Sequence, residues 1–146
     1  MACALVSTLA GVRAAEQTAP VTPAPVQTAP ALDPRLAGVP MFPGAEFLTS
    51  YDAGRDQRQF LFGTNTPYAE VVAYYKAQFK SSGRELFRTP PMQQFDLARF
   101  MESTMAYQPS VVVKDYAWMD SPGYLHVSGT TEKRYKTIIQ IVPAAK

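Results

Sequence analysis

The apolar residues of this chain follow two rhythms. Between residues 67 and 82, Tyr68, Val72, Tyr75 and Phe79 recur at the four- and three-residue steps that share one helical face, and Val71 widens the stripe. Lys76, Gln78 and Lys80 fall elsewhere. The flanks agree with the periodicity. Thr66 stands where an N-cap belongs, Pro67 in the first turn where an N–H is not needed, Glu70 near the positive end of the dipole, and Gly83 where the helix should stop. One long helix over 67–82 is predicted, and its apolar face requires a sheet to lie on.

The second rhythm is that of strands. Residues 47–51 and 59–62 are short β-prone runs separated by the polar, turn-rich 52–56, which suits an antiparallel hairpin. A short strand at 85–88 follows the helix and is stopped by Thr89, Pro90 and Pro91. Phe95, Leu97, Arg99 and Met101 alternate as a strand would, although Leu97, Met101 and Met105 also fit helical spacing. The reading adopted is a strand over 93–100 leading into a short helical or irregular piece. Residues 111–116 form a strong strand, turned at 120–123 into 124–127, and a turn at 129–133 leads to the last strand. There Tyr135, Thr137, Ile139 and Ile141 take one side and Lys136, Ile138, Gln140 and Val142 the other. Being apolar on both sides toward its end, this strand is expected to be central. The fold class implied is α+β, a mainly antiparallel sheet of about five to six strands with one long helix packed on one face.

The amino-terminal part has neither rhythm. Residues 2–12 are an apolar run far short of the ~20 residues a membrane-spanning helix needs, followed by small residues at Val12 and Ala14 flanking Arg13. This reads as a signal peptide cleaved after Ala14. No Lys or Arg precedes the run, so 1–14 is taken as a truncated signal peptide whose basic portion lies upstream. Lipidation of Cys3 is the alternative, weakened by the apolar residues after it. An ordinary frayed terminus of a cytosolic chain is the plainest reading of the same residues. Proline alternates with small or polar residues from 18 to 34, which opposes helix and sheet and makes 15–38 an extended, solvated spacer. A single domain is assigned to 39–146.

Composition narrows the function classes. An apolar fraction of 47% with 18% charged residues belongs to a globular chain. The formal charge is +2 and the signs are interspersed, so no long-range field recruits nucleic acid or an anionic membrane surface. Arg55, Arg58, Lys76, Lys80, Arg84 and Arg88 lie among Phe60, Phe62 and Tyr74, but Asp52, Asp56, Glu70 and Glu85 interrupt them, and no nucleic-acid partner is assigned. Cys3 is the sole cysteine, which removes disulfides, thiolate metal sites and cysteine nucleophiles from the domain.

His126 is the only histidine, and any acid–base chemistry near neutral pH would centre on it. With Asp115 and Tyr116 it forms the candidate ligand-binding set: His126, Asp115, Tyr116. Nothing resembling a Ser-His-Asp order accompanies it, and no catalytic residue is assigned. Met92, Met101, Met105 and Met119 with His126 are soft donors able to hold Cu(I), yet no tight spacing joins them, and methionines more often fill core gaps. Asp115, Asp120 and Glu102 lack calcium-loop spacing. No metal and no cofactor is expected.

Pro43, Gly44 and Ala45, the hairpin, the helix with Val71, Val72, Tyr74 and Tyr75, and the closing Gly83 together resemble a pattern in small exported bacterial proteins of uncharacterised families. The ending 137–143 is similar to theirs. The resemblance spans about residues 39–143, implies export and an α+β fold, and brings no activity or site with it. The function expected is that of an exported, non-enzymatic accessory or interaction domain of the cell envelope, periplasmic or secreted, with an envelope protein or component as partner. The alternatives are a periplasmic module binding a small molecule or metal in an aromatic groove between helix and sheet, and then a hydrolase centred on His126. A concave pocket around His126, Asp115 and Tyr116 would favour an enzyme, and a filled core with an exposed apolar patch an interaction module.

Overall fold

The computed structural model describes residues 34–144. The signal-peptide run, the cleavage point, Cys3 and the spacer up to Asp33 lie outside the described residues. A short 3₁₀ turn, Pro34–Leu36, opens the described part, and Leu36 and Val39 are already packed in the core. Eight strands follow: β1 (Glu46–Gly54), β2 (Gln57–Thr64), β3 (Arg84–Thr89), β4 (Met92–Asp96), β5 (Ser110–Asp115), β6 (Tyr124–Ser128), β7 (Thr131–Tyr135) and β8 (Thr137–Val142). Six of them build one antiparallel sheet in the order β1-β2-β8-β5-β4-β3, while β6 and β7 pair only with each other. The helix α1 (Tyr68–Gln78) carries the chain from β2 across to β3 at the far edge.

Register explains why one face of the sheet is apolar. Phe60 and Phe62 stand opposite Ile141 and Ile139, which stand opposite Val111 and Val113, and Val111 stands opposite Phe95. Val71, Val72, Tyr75 and Phe79 of the helix stripe are buried against these side chains, with Tyr68 partly so. Tyr75 stacks on Phe79 at 5.6 Å between ring centroids, and both rings meet Phe95. As the pattern of its two sides requires, β8 sits centrally, between β2 and β5.

The fold is thus mostly antiparallel sheet with one helix, and three expectations are corrected. The helix is not long: it covers 11 residues. Phe79 ends it with an N–H bond to the Tyr75 carbonyl, and the N–H groups of Ser82 and Gly83 both return to the Phe79 carbonyl. A side chain at Gly83 would stand 2.8 Å from the Phe79 Cβ, so the glycine permits a close reversal rather than merely marking a stop. At the other end Pro67, not Thr66, occupies the cap position with no side-chain cap bond. The Thr66 carbonyl instead accepts the Thr137 hydroxyl at 2.8 Å.

Second, β4 ends at Asp96, and residues 97–109 are irregular apart from a turn in which the Met105 N–H bonds the Met101 carbonyl. Third, the final apolar run is two strands, broken at Lys136. Tyr135 is thereby removed from the face carrying Thr137, Ile139 and Ile141 and lies over Gly63, between Phe62 and Thr64 and on the opposite side of the sheet.

That opposite face has no helix. Thr49, Leu61, Gln140, Val112, Gln94 and Leu86 form one row across all six strands. Lys114 lies half-buried beside it, its Nζ donating to Gln140 Oε1 at 2.9 Å, and burial pushes its ammonium pKa down. Residues 97–109 cover the end of this face near Gln57, and the β6–β7 hairpin covers the end near Gly63.

Candidate functional site at the hairpin junction

Gly63 makes the junction possible. A Cβ there would fall 2.5 Å from the Tyr135 ring, so only a glycine leaves room for the ring on the sheet. Directly opposite Gly63 on β1 is Glu46, whose Oε2 accepts the Tyr135 hydroxyl and the Lys133 Nζ, each at 2.8 Å. The hydrogen bond from Lys133, then that from Tyr135, holds the Glu46 carboxyl below its ordinary value. Lys133 is raised by the same carboxylate. Tyr135 is raised by burial first and then by its bond to Glu46.

The candidate set is distributed around this junction. Asp115 ends β5, and its Oδ1 accepts the Ala117 N–H at 2.9 Å. Tyr116 follows, half-buried, with its N–H on the Lys136 carbonyl and its ring edge-on to Tyr124 at 5.1 Å. Tyr124 pairs with Tyr135 and His126 with Lys133, so Tyr124, His126, Lys133 and Tyr135 share one side of the hairpin. The structure therefore brings Tyr116 and His126 to the same ribbon through Tyr124. Asp115 stays at its base, committed to the turn. Among the described residues no hydrogen bond or ion pair reaches the His126 side chain.

Beside the junction a cleft of about 430 Å³ opens at the start of α1, lined among others by Glu46, Gly63, Asn65, Thr66, Glu70 and Tyr135. Asn65 Oδ1 accepts the Lys136 N–H at 3.3 Å. Glu46 already serves two donors and Glu70 faces solvent, so the free polar groups the cleft offers are mainly hydrogen-bond acceptors. Among the described residues no three His, Cys, Asp or Glu side chains gather. Met105 is buried within the 97–109 segment and Met119 is, among the described residues, the most exposed of the large apolar ones, so these two donors occupy quite different surroundings.

Sequence reasoning missed Glu46, Gly63, Lys133 and Tyr135. Glu46 and Tyr135 lie 89 positions apart, and no local pattern joins them. The available signals were a glycine inside an apolar strand and Lys136 interrupting an apolar run.

The outer side of the hairpin mixes apolar and charged residues, Leu125 standing opposite Arg134 and Val127 opposite Glu132. Leu125 and Val127 are exposed there, and the preceding turn presents Trp118 and Met119, the latter 83% exposed. Met119 and Asp120 hold φ of 55° and 59°, a left-handed conformation that costs ordinary residues energy. The layer between helix and sheet is filled by Tyr75, Phe79 and Phe95, so the aromatic groove expected there is occupied by the protein's own rings. No helix among the described residues is long and apolar enough to cross a membrane. Compared with known proteins, the chain matches no family model, no curated protein and no solved structure.

Proposed function

We propose that this chain is an exported, non-enzymatic interaction domain of the cell envelope that binds a protein partner through the outer side of the β6–β7 hairpin and the Trp118–Asp120 turn. The observation carrying this reading is the exposure of Trp118 and Met119 in the turn and of Leu125 and Val127 on the following strand, while the helix–sheet layer is filled. A small domain gains nothing in its own stability from leaving such side chains in water, and exposed apolar clusters of this kind commonly serve association. Export rests on the run at 2–12 and the resemblance described above.

The test is site-specific photocrosslinking in the source cells. A photoreactive residue replacing Val127 or Leu125 should yield the same discrete adduct, and one replacing Ala77 on the outer side of α1 should not. Equal labelling from both regions would remove the hairpin from consideration. Intact-mass measurement of the envelope-derived protein should find a start near Ala15, and recovery of the uncleaved chain from the cytosol would end the export reading.

A further inference from the structure

At the other end of the uncovered sheet face, residues 97–109 present a second exposed surface of different chemistry. Phe100 and Met101 are 43% and 51% exposed, and Tyr107 is 54% exposed. Arg99 and Phe100 form the wall between two depressions. One, of about 500 Å³, is also lined by Ser82, Arg84, Asp96 and Gln108. The other, wide and open, is lined by Arg55, Met101, Glu102 and Ser103. Three guanidinium groups therefore surround an apolar crest. The Arg55 side chain donates to the Glu102 carbonyl, whereas the side chains of Arg84 and Arg99 make no hydrogen bond or ion pair among the described residues. Two carboxylates share the depressions with the three arginines: Asp96, which accepts from Gln94 Nε2 at 2.7 Å, and Glu102.

The crest is held rather than loose. Gln57 Oε1 accepts the Ala106 and Tyr107 N–H groups at 2.7 and 2.9 Å, and its Nε2 donates to the Tyr107 carbonyl at 3.0 Å. The Leu97 N–H bonds the Pro109 carbonyl at 2.8 Å, and Met105 is buried beneath. Phe100 and Met101 are thus presented from a segment whose base is fixed.

We infer that this surface docks on an anionic lipid bilayer. An unpaired guanidinium matches phosphate oxygens with a fork of donors, and phosphate and hydrocarbon lie within a few ångströms of depth only at a membrane interface. Arginines beside an apolar tip fit that layered chemistry, the tip entering the headgroup boundary and the guanidinia staying with the phosphates. The charge of the whole chain, only +2, does not oppose this. Attraction at contact depends on charges within about 8–10 Å of the headgroups rather than on the sum. This inference stands apart from the hairpin proposal, and either can fail without the other.

The test uses the full chain and two single-tryptophan forms. The natural Trp118 reports from the hairpin, and Phe100→Trp with Trp118→Phe reports from the crest. Vesicles of phosphatidylcholine alone are compared with vesicles in which about a third of the lipid is phosphatidylglycerol. With the anionic vesicles, the tryptophan at position 100 should shift to the blue and be quenched by bromine-labelled acyl chains, and Trp118 should do neither. Arg84→Gln with Arg99→Gln should weaken binding about tenfold or more, and salt at about 0.5 M should release the protein. Lys80→Gln and Val127→Ser should leave vesicle binding unchanged. Equal response to both vesicle types, quenching of Trp118 alone, or no effect of the arginine pair would overturn the inference. So would capture of inorganic phosphate by the same arginines without any vesicle binding, which would make this a site for a soluble anion. The substituted residues are exposed, and melting curves matching the parent protein establish that any loss is one of binding.

Discussion

The two faces of the six-stranded sheet are closed by different means. Toward α1, columns of Phe, Ile and Val are covered by the helix together with Leu36, Val39, Met41 and Phe42 of the segment before β1, and the contact is broad and non-directional. On the other side no helix lies over the centre, where Val112 is buried between the half-buried Gln94 and Gln140. One end is closed by a single ring resting on Gly63 and two hydrogen bonds to Glu46, the other by three hydrogen bonds from one buried side chain, Gln57. The first face should hold the domain together. The second should hold particular segments in place, and losses there should be local and smaller.

The sharpest way to break that contrast is Tyr75→Ala. Tyr75 is fully buried between helix and sheet, and aromatic truncations of this kind cost ~3–5 kcal/mol, a large part of a small domain's stability. Urea melts should show a global loss of that order, whereas Lys76→Ala, one position on and exposed, should change stability by no more than about 0.5 kcal/mol. Its 3.7 Å pair with Glu85 lies at the surface, where such pairs contribute little. The Tyr75 hydroxyl is buried with no well-formed hydrogen bond, only the Phe42 backbone standing near it, and burial pushes its phenol pKa far up. Tyr75→Phe should therefore match the parent or exceed it by about 1 kcal/mol. Equal, small losses from Tyr75→Ala and Lys76→Ala would mean that the helix does not close this face.

The same contrast governs what the sequence reveals. The helix stripe, the paired strands and the central place of the last strand were legible because burial on one face imposes a period of 3.6 or 2, and Tyr68, Val72, Tyr75 and Phe79 obey it. The uncovered face imposes no period on what lies over it. Residues 97–109 are positioned by Gln57, about 50 residues earlier, and their Leu97, Met101 and Met105 spacing records a single turn rather than a helix or strand. Tyr135 looked like a continuation of the Thr137, Ile139 and Ile141 series because Lys136, the one local sign of the break, also fits the outward side of an unbroken strand. The junction residues were hidden for the same reason: Glu46, Gly63 and Tyr135 meet only once the strands have paired. His126, Asp115 and Tyr116 were singled out by residue type alone, and type does not specify distance.

Intermediate effects are expected from the two fastenings of the uncovered face. Gln57→Ala removes the acceptor of two backbone N–H groups and the donor to a carbonyl, at a cost of about 1–3 kcal/mol. Amide exchange should accelerate first at Ala106 and Tyr107, while α1 keeps its protection relative to the global opening. Gly63→Ala forces a methyl into the Tyr135 ring, and the ring or the strand must move, again for about 1–3 kcal/mol. Its signature should be altered Trp118 fluorescence and faster exchange in β6 and β7, with the core strands unaffected. Uniform acceleration everywhere in either variant would show that the two faces are not energetically separate.

The smallest effect lies at Glu46, and pH isolates it. Its carboxyl pKa is held below the ordinary 4.5, chiefly by the Lys133 hydrogen bond and next by that of Tyr135. A carboxylate depressed in the folded state contributes stability that is fully present above its unfolded pKa. That contribution is lost as pH falls through the lower, folded value. The hairpin should therefore stay docked near neutrality and loosen only below 4.5, as protonation takes from Lys133 its counter-charge and weakens the acceptor for Tyr135. Glu46 and Lys133 are exposed, so solvent and salt screen the pair, and the change should be a local undocking rather than unfolding. Trp118 fluorescence followed on acidification should show a step in the parent chain that is absent from Glu46→Gln and shrinks at high salt. Identical titrations of the two proteins would leave Tyr135 packing on Gly63, without the carboxylate, as what fixes the hairpin.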